Sequence, residues 1–445
     1  MAEKITVIGA GLVGSLFSIY LARKGYHVDI FERRPDMRKE AIPAGRSINL
    51  ALSDRGWKAL ELIGVSEEVK KVAIPMYGRL IHSIKGEVSF HPYGKDNQAI
   101  YSVSRGGLNS KLMDLAEKYS NVSLYFNERC IDIDLDKSEI IFQNQLHQKK
   151  VSVYGNRIIG ADGAFSAARL RLQLTDRFNY FQEYLEHGYK ELTIPANSDG
   201  SWKIEKNALH IWPRGEYMLI ALPNLDGSFT CTLFFPFEGE KSFSTLKKAG
   251  DISAFFEEVF PDAVPLMPTL VEDFQQNPTS SLLMLKCSPW NYQDKLLLIG
   301  DASHAIVPFF GQGMNSGFED CTILSELFNT YGEDWGKVFN EFSTVRKKDT
   351  DAIFELALRN FIEMRDLVAD PKFILRKKIE HRFQERHPDK WMPLYSMVTF
   401  SDIPYSKALK EGISQDIIME KILAMKDIDK TWDTIEVEQE ILKFL

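Results

Sequence analysis

The strongest constraint in this chain is the spacing Gly9-Ala-Gly11-Leu-Val-Gly14 at the end of a continuous apolar run, Lys4–Gly9. Such a run suits a strand covered on both faces, as in a parallel sheet. A tight turn and a helix through Ser15–Lys24 should follow, then a second strand from Tyr26 to Phe31, ending at Glu32. In a strand–turn–helix–strand unit of this kind the first glycine permits the turn and the second lets backbone approach a ligand. The third lets helix and strand pack closely. The helix N-terminus offers unpaired N–H groups and positive potential, which suit a pyrophosphate. Glu32 is placed to accept hydrogen bonds from both ribose hydroxyls of an adenosine. A 2′-phosphate would meet carboxylate repulsion there, so NAD or FAD is favoured over NADP as the resident group.

The 445 residues carry a formal net charge of −8, with 44% hydrophobic and 26% charged residues. That is ordinary globular composition, long enough for two or three domains. The acidic balance and dispersed basic residues argue against nucleic acid as a partner. Cys130, Cys231, Cys287 and Cys321 lie far apart without a C-x-x-C pair. They read as free thiols of a reducing compartment, not a disulfide frame or a metal site. No apolar stretch reaches the roughly 18 residues of a membrane span, and no basic leader frames Ile5–Leu16. A soluble, cytoplasmic protein is expected.

From Met76 to Tyr101 the pattern changes to alternation, with Lys85-Gly86-Glu87 as a hairpin loop. That register sets Arg79 opposite Tyr93, and a guanidinium beside a phenol makes a good carboxylate receptor. Leu108–Lys118 reads as a helix, and residues 200–237 as an antiparallel sheet inserted after the first module. Near 295–300 a parallel-style strand returns, and from Trp335 to Leu445 the chain is helical and charged. Within Asp351–Val368 the apolar stripe includes Asn360. A lone Asn on such a face must be hydrogen-bonded, as a satisfied core residue or as a ligand contact.

Two further segments carry chemistry. Ile158-Ile-Gly-Ala-Asp162-Gly163 is a strand running into a D-G turn, and Leu296–Pro308 contains Gly300-Asp301 at a strand end. Asp301 is either a ligand group or an N-cap. Gly311–Gly317 opens a helix whose N-terminus could stabilise negative charge developing on a flavin's pyrimidine edge. His304 reads as structural.

The order and spacing of these three signatures resemble the class A flavoprotein aromatic hydroxylases. Gly45–Ser53, Tyr101–Arg105, His210–Pro213, Val307–Asp320 and Leu394–Phe400 resemble, more closely, the kynurenine 3-monooxygenase family, and the likeness runs from about residue 4 to 405. The resemblance implies an α/β fold: a Rossmann-like FAD-binding domain, an inserted antiparallel β-sheet substrate domain and a C-terminal helical region. The expected divisions are 1–75, 100–175 and 285–345 for FAD, 76–99 and 176–284 for substrate, and 346–445 completing the pocket.

The resemblance also implies tightly bound FAD, held by Gly9, Gly11, Val13, Gly14, Phe31, Glu32, Arg33, Arg34, Ala51, Arg105, Asp162, Asp301, Met314 and Asn315. L-kynurenine would meet Arg79, Tyr93, Asn360 and Tyr395, with Pro308, Phe309, Phe310 and Gln312 as pocket wall. NADPH would be a transient co-substrate, O2 would form a C4a-hydroperoxyflavin, and 3-hydroxykynurenine would leave. No catalytic side chain is expected, because the flavin carries the chemistry. A homodimer is allowed. Eukaryotic relatives continue into a hydrophobic membrane anchor, whereas Val437–Leu445 is short and charged, so no anchor is expected here. The rival readings are a hydroxylase of another aromatic substrate and a non-catalytic binding protein on the same scaffold.

Overall fold

The computed structural model describes residues 3–39, 49–94, 98–364 and 370–445. Residues 45–48 of the Gly45–Ser53 segment lie outside these, as do residues 365–368 of the expected Asp351–Val368 helix.

A six-stranded sheet runs in the order Asn291–Tyr292, Leu296–Leu298, Arg157–Gly160, Lys4–Ile8, His27–Phe31, Val122–Tyr125. All its pairs are parallel except the first. Ile5, Val7, Ile30, Ile158 and Leu297 are wholly buried, as a sheet covered on both faces requires. The first helix spans Leu12–Arg23, starting ahead of the expected Ser15 because Gly11 already serves as its N-cap.

The three glycines behave as their spacing demands. Gly9 turns the chain at φ +104, and a Cβ there would lie 2.5 Å from the Ala161 carbonyl oxygen. A Cβ on Gly14 would stand 2.1 Å from the Gly9 carbonyl oxygen, so helix and turn touch backbone to backbone.

The inserted module is an eight-stranded sheet. Its order is His304–Ala305, Ser280–Ser288, Asn179–Ile194, Phe229–Pro236, Met218–Pro223, Leu209–Pro213, Gly78–His82, Val88–Pro92. It is antiparallel save where Leu209–Pro213 meets Gly78–His82. Helices Ala249–Val259 and Leu270–Gln276 cover one face, packing Phe256 and Phe274 over Leu192, Trp212 and Phe229. Helix Tyr405–Leu423 packs on Trp335–Ile362 in the C-terminal region. No helix among the described residues is long and apolar enough to cross a membrane. All four cysteines are buried and free.

The hairpin register differs from expectation. Arg79 pairs with His91, not Tyr93, which instead bonds its N–H to the Tyr77 carbonyl at 3.0 Å. The cause is Gly86. It takes φ +80, and the left-handed position closing a three-residue loop suits glycine, so the loop is Ile84-Lys85-Gly86 closed by Ser83 and Glu87. A slip of two residues keeps the same face. Tyr93 therefore remains Arg79's diagonal neighbour, with the guanidinium carbon 5.5 Å from its ring.

Beyond Arg79 the strand is anchored through His82. Its Nδ1 lies 2.9 Å from Asp262 Oδ2, which also accepts the Trp212 indole N–H at 2.8 Å. His82 Nε2 meets His210 Nδ1 at 2.9 Å, and His210 Nε2 donates to the Glu205 carbonyl at 2.8 Å. Burial pushes the His210 imidazole down to about 4. An unfolded chain takes up that proton near 6.5, so the stability His210 contributes is complete above that pH and is lost as pH falls toward 4. The full effect is worth about 3 kcal/mol. We expect His210→Gln to be less stable than the parent at pH 7 in urea titrations, with the gap closing by pH 4.5. A gap that stays constant with pH would contradict the neutral buried imidazole.

Candidate functional site

A cavity of about 660 Å³ is lined by residues of both large sheets and the helices around them. At one end lie Gly11, Val13, Glu32 and Arg34, and at the other Arg79, Tyr395 and the pocket wall. A Cβ added to Gly11 would meet no protein atom within 4 Å, so it would stand in the cavity itself. Neither helix Leu12–Arg23 nor helix Gly313–Tyr331 has a side-chain cap, and the first turn of each borders the cavity. Their leading N–H groups are left for a ligand.

Glu32 Oε2 accepts from Ala10 N at 3.0 Å, and Oε1 from Arg34 N and Nε at 3.0 and 2.8 Å. Burial works to raise this carboxyl, but Arg34 and the Ala10 N–H hold it below its ordinary value. It is therefore an ionised acceptor at the end of its strand. Asp162 uses Oδ2 to cap helix Ala167–Leu172, with Ala167 N at 2.6 Å. Its Oδ1 is buried without a partner, and burial raises its carboxyl against the hydrogen bonds it receives. Asp301 faces the cavity, where burial raises its carboxyl and the Arg105 guanidinium opposes that rise. His304 sits behind it, 2.7 Å from Asp320, in a structural pair.

The chain brings together in the lining Gly11, Val13, Glu32, Arg34, Ala51, Arg79, Arg105, Asp301, Pro308, Phe309, Phe310, Gln312, Met314 and Tyr395. Other expected residues stand behind it. Gly9 and Gly14 shape the turn, while Phe31 stacks on Tyr125 and Phe142, at 4.7 and 4.0 Å, in the core. Arg33 is exposed, away from the cavity. Asn315 ties two walls: it accepts from Ser53 N at 3.0 Å and donates to the Ala51 and Gly311 carbonyls, both at 2.8 Å. Asn360 donates to the Phe309 carbonyl at 2.7 Å, so its amide N–H is spent on the wall. Tyr93 is buried and stacks on Tyr395 with centroids 5.3 Å apart.

Arg79 lies beside that stacked pair, its guanidinium carbon 4.4 Å from the Tyr395 ring. Its Nε and the Tyr93 hydroxyl are buried without partners, and no carboxylate among the described residues forms an ion pair with Arg79. Burial raises the Tyr93 phenol well above its ordinary value, so it stays protonated and able to donate. The sequence reading missed Met37, Asn109, Met113 and Phe126 near Glu32, and Ile220, Leu222 and Phe234 near Arg79. Alternation of Thr230 and Thr232 with Cys231 and Leu233 marked a sheet strand. It did not show that the face carrying Thr232 and Phe234 turns toward a ligand while Cys231 and Leu233 turn into the helix-covered core.

An FAD molecule fits this site on the structure's own terms. The Gly11 cradle, two uncapped helix N-termini and an ionised Glu32 are what a dinucleotide would satisfy. Residues 3–217 and 270–337 match the family model described as FAD binding domain. The fold is that of 2-methyl-3-hydroxypyridine-5-carboxylic acid oxygenase, with a TM-score of 0.67 and 19% identity over 83% of this chain and 94% of that one. PqsL from P. aeruginosa, solved in complex with 2-aminobenzoylacetate, gives 0.63 and 15% over 82% and 97%. Fold and site thus define an FAD-binding flavoprotein of the hydroxylase fold.

Sequence narrows this further. The chain is 53% identical to kynurenine 3-monooxygenase of Flavobacterium johnsoniae over 99% of its length and 98% of the relative's. It is 44% identical to that of Dictyostelium discoideum, over 100% and 98%. The chain belongs to the kynurenine 3-monooxygenase family.

The glycine geometry separates two substitutions. Gly11→Ala should fold with a near-parental melting temperature as apoprotein yet purify with little flavin, read from the ratio of visible to ultraviolet absorbance. Gly14→Ala should lose stability as well, because its Cβ has no room. Equal flavin content in Gly11→Ala and parent would contradict the assigned approach of the ligand.

Proposed function

We propose that this protein is an FAD-dependent monooxygenase that hydroxylates L-kynurenine at ring position 3. It consumes NADPH, a proton and O2, and releases 3-hydroxykynurenine, NADP+ and water. The observation that carries this reading is the Arg79 guanidinium, which lines the cavity beside Tyr395 and Tyr93 and forms no ion pair with a carboxylate among the described residues. An anionic amino-acid carboxylate supplies the missing counter-charge. The apolar wall of Ile220, Leu222, Phe234, Phe309 and Phe310 suits an aryl ring and keeps water from it.

FAD, when bound, accepts the hydride and activates oxygen. The chain's residues position and enclose. Gly11, Val13, Glu32 and Arg34 take the adenosine and pyrophosphate end, helped by Gly9, Gly14, Phe31 and Arg33 through backbone and turn shape. Ala51, Arg105, Asp162, Asp301, Met314 and Asn315 hold the remainder. Tyr395 lies against the Arg79 guanidinium, and Asn360 serves substrate binding by fixing the Phe309 wall. Kynurenine's own aromatic amine donates electron density to the neighbouring ring carbon, so no side chain need act as a strong base. The divisions at 1–75, 100–175 and 285–345 for FAD, 76–99 and 176–284 for substrate, and 346–445 for the helical closure suit this reading. A cytoplasmic enzyme fits it as well.

The direct test incubates kynurenine, NADPH and oxygen with the protein and looks for 3-hydroxykynurenine by mass. Saturating kynurenine should also accelerate NADPH-dependent flavin reduction several-fold. Arg79→Ala should raise KM by about 10- to 100-fold, the worth of a lost charge-assisted bond, while flavin stays bound. Loss of flavin from that variant would place Arg79 in the wrong half of the site.

A further inference from the structure

Gln312 and Tyr405 meet at the cavity wall. Gln312 is 1% exposed, lines the cavity and is the N-cap residue of helix Gly313–Tyr331. Tyr405 is wholly buried at the start of helix Tyr405–Leu423, and its hydroxyl donates to Gln312 Oε1 at 2.9 Å.

The phenol ring is held by two arginines. The Arg55 guanidinium carbon lies 4.0 Å from its ring and that of Arg346 lies 5.7 Å away. Both arginines are fixed in turn by Glu319, and Arg346 also by Asp320. Burial raises the Tyr405 phenol, so it remains a donor. With the Tyr405 hydroxyl donating, the amide oxygen faces Tyr405 and the NH2 group faces away from it. Gln312 Nε2 has no acceptor among the described residues and is not sealed away as a buried unpartnered atom.

Building on the function proposed above, we infer that Tyr405 is a positioning residue. It acts through Gln312, holding that amide so that the cavity receives a hydrogen-bond donor, which the ketone oxygen of the aryl-ketone substrate accepts. The C-terminal helical region, which already reaches the site through Tyr395 and Asn360, thereby acquires a further hold on it. Without the Tyr405 hydroxyl the amide can present either its oxygen or its nitrogen, and a carbonyl oxygen facing the ketone repels it.

The test compares Tyr405→Phe, Gln312→Leu and the double variant as FAD-loaded full-length proteins. Kynurenine Kd is read by titrating the flavin absorbance, alongside KM, kcat, product formed per NADPH consumed, and melting temperature. Tyr405→Phe keeps the ring under both arginines, so flavin content and melting temperature should stay near parental. Its Kd and KM should rise about five-fold with kcat little changed, the split expected when one ground-state bond is lost. The double variant should bind no more weakly than Gln312→Leu, because Tyr405 has nothing left to position.

Parental affinity in Tyr405→Phe, or additive losses in the double variant, would overturn the proposal. Should Tyr405→Phe fail to fold, Gln312→Glu decides: it still accepts from Tyr405 but offers no donor, so unchanged kynurenine affinity there would overturn it equally. A parent protein that neither binds nor hydroxylates kynurenine would instead sink the proposed function, and this inference with it.

Discussion

Everything in the site depends on how closely the first helix approaches the first strand. Gly14 rests against the Gly9 carbonyl with no space for a methyl group, and that contact brings uncapped N–H groups to the edge of the cavity. It also brings Ala10 N within reach of Glu32, whose carboxylate then joins the turn to the end of the second strand. Val13, carried on the same helix, fits under Gly300 and Gly317, where a Cβ would lie 3.1 and 2.6 Å from its Cγ2. Two segments distant in sequence are thereby locked into one cradle, and their relative position is set by the absence of side chains.

A second device secures the other side of the cavity. Arg55 and Arg346 are buried, and isolated buried charges would be very costly. Here Glu319 pairs with both, and Arg346 Nε donates to Asp320 Oδ1 at 2.7 Å. Asp320 Oδ2 accepts from Gly300 N at 2.8 Å and from His304 at 2.7 Å. Burial works to raise the Asp320 carboxyl, yet His304 and Arg346 keep it below its ordinary value. The cluster therefore connects the Asp301 loop, the helix behind Met314 and the C-terminal helices. It explains why His304, a tempting catalytic residue by type, is a structural one.

Much of this was legible beforehand, and the errors have physical causes. The glycine turn, the D-G and G-D segments and the inserted sheet follow from local rules of period and turn chemistry. The hairpin was misregistered because the three-residue loop was centred on Gly86, whereas Gly86 takes the left-handed position that closes it. The Arg79–Tyr93 proximity survived, since a two-residue slip preserves the face. For Asn360 the helical stripe announced a buried amide, but its partner, the Phe309 carbonyl, comes from a segment fifty residues away.

By itself the sequence determined the parallel nucleotide sheet, the acceptor at Glu32, and the pairing of a cation with aromatics on one hairpin. These rest on backbone constraints and periodicity that act over a few residues. Tertiary structure alone decided which apolar face of the inserted sheet became a ligand wall, that Arg79 kept its charge unpaired, and that Tyr405 touches Gln312. Those outcomes depend on packing between distant segments, where no spacing along the chain records which side chain will arrive opposite which.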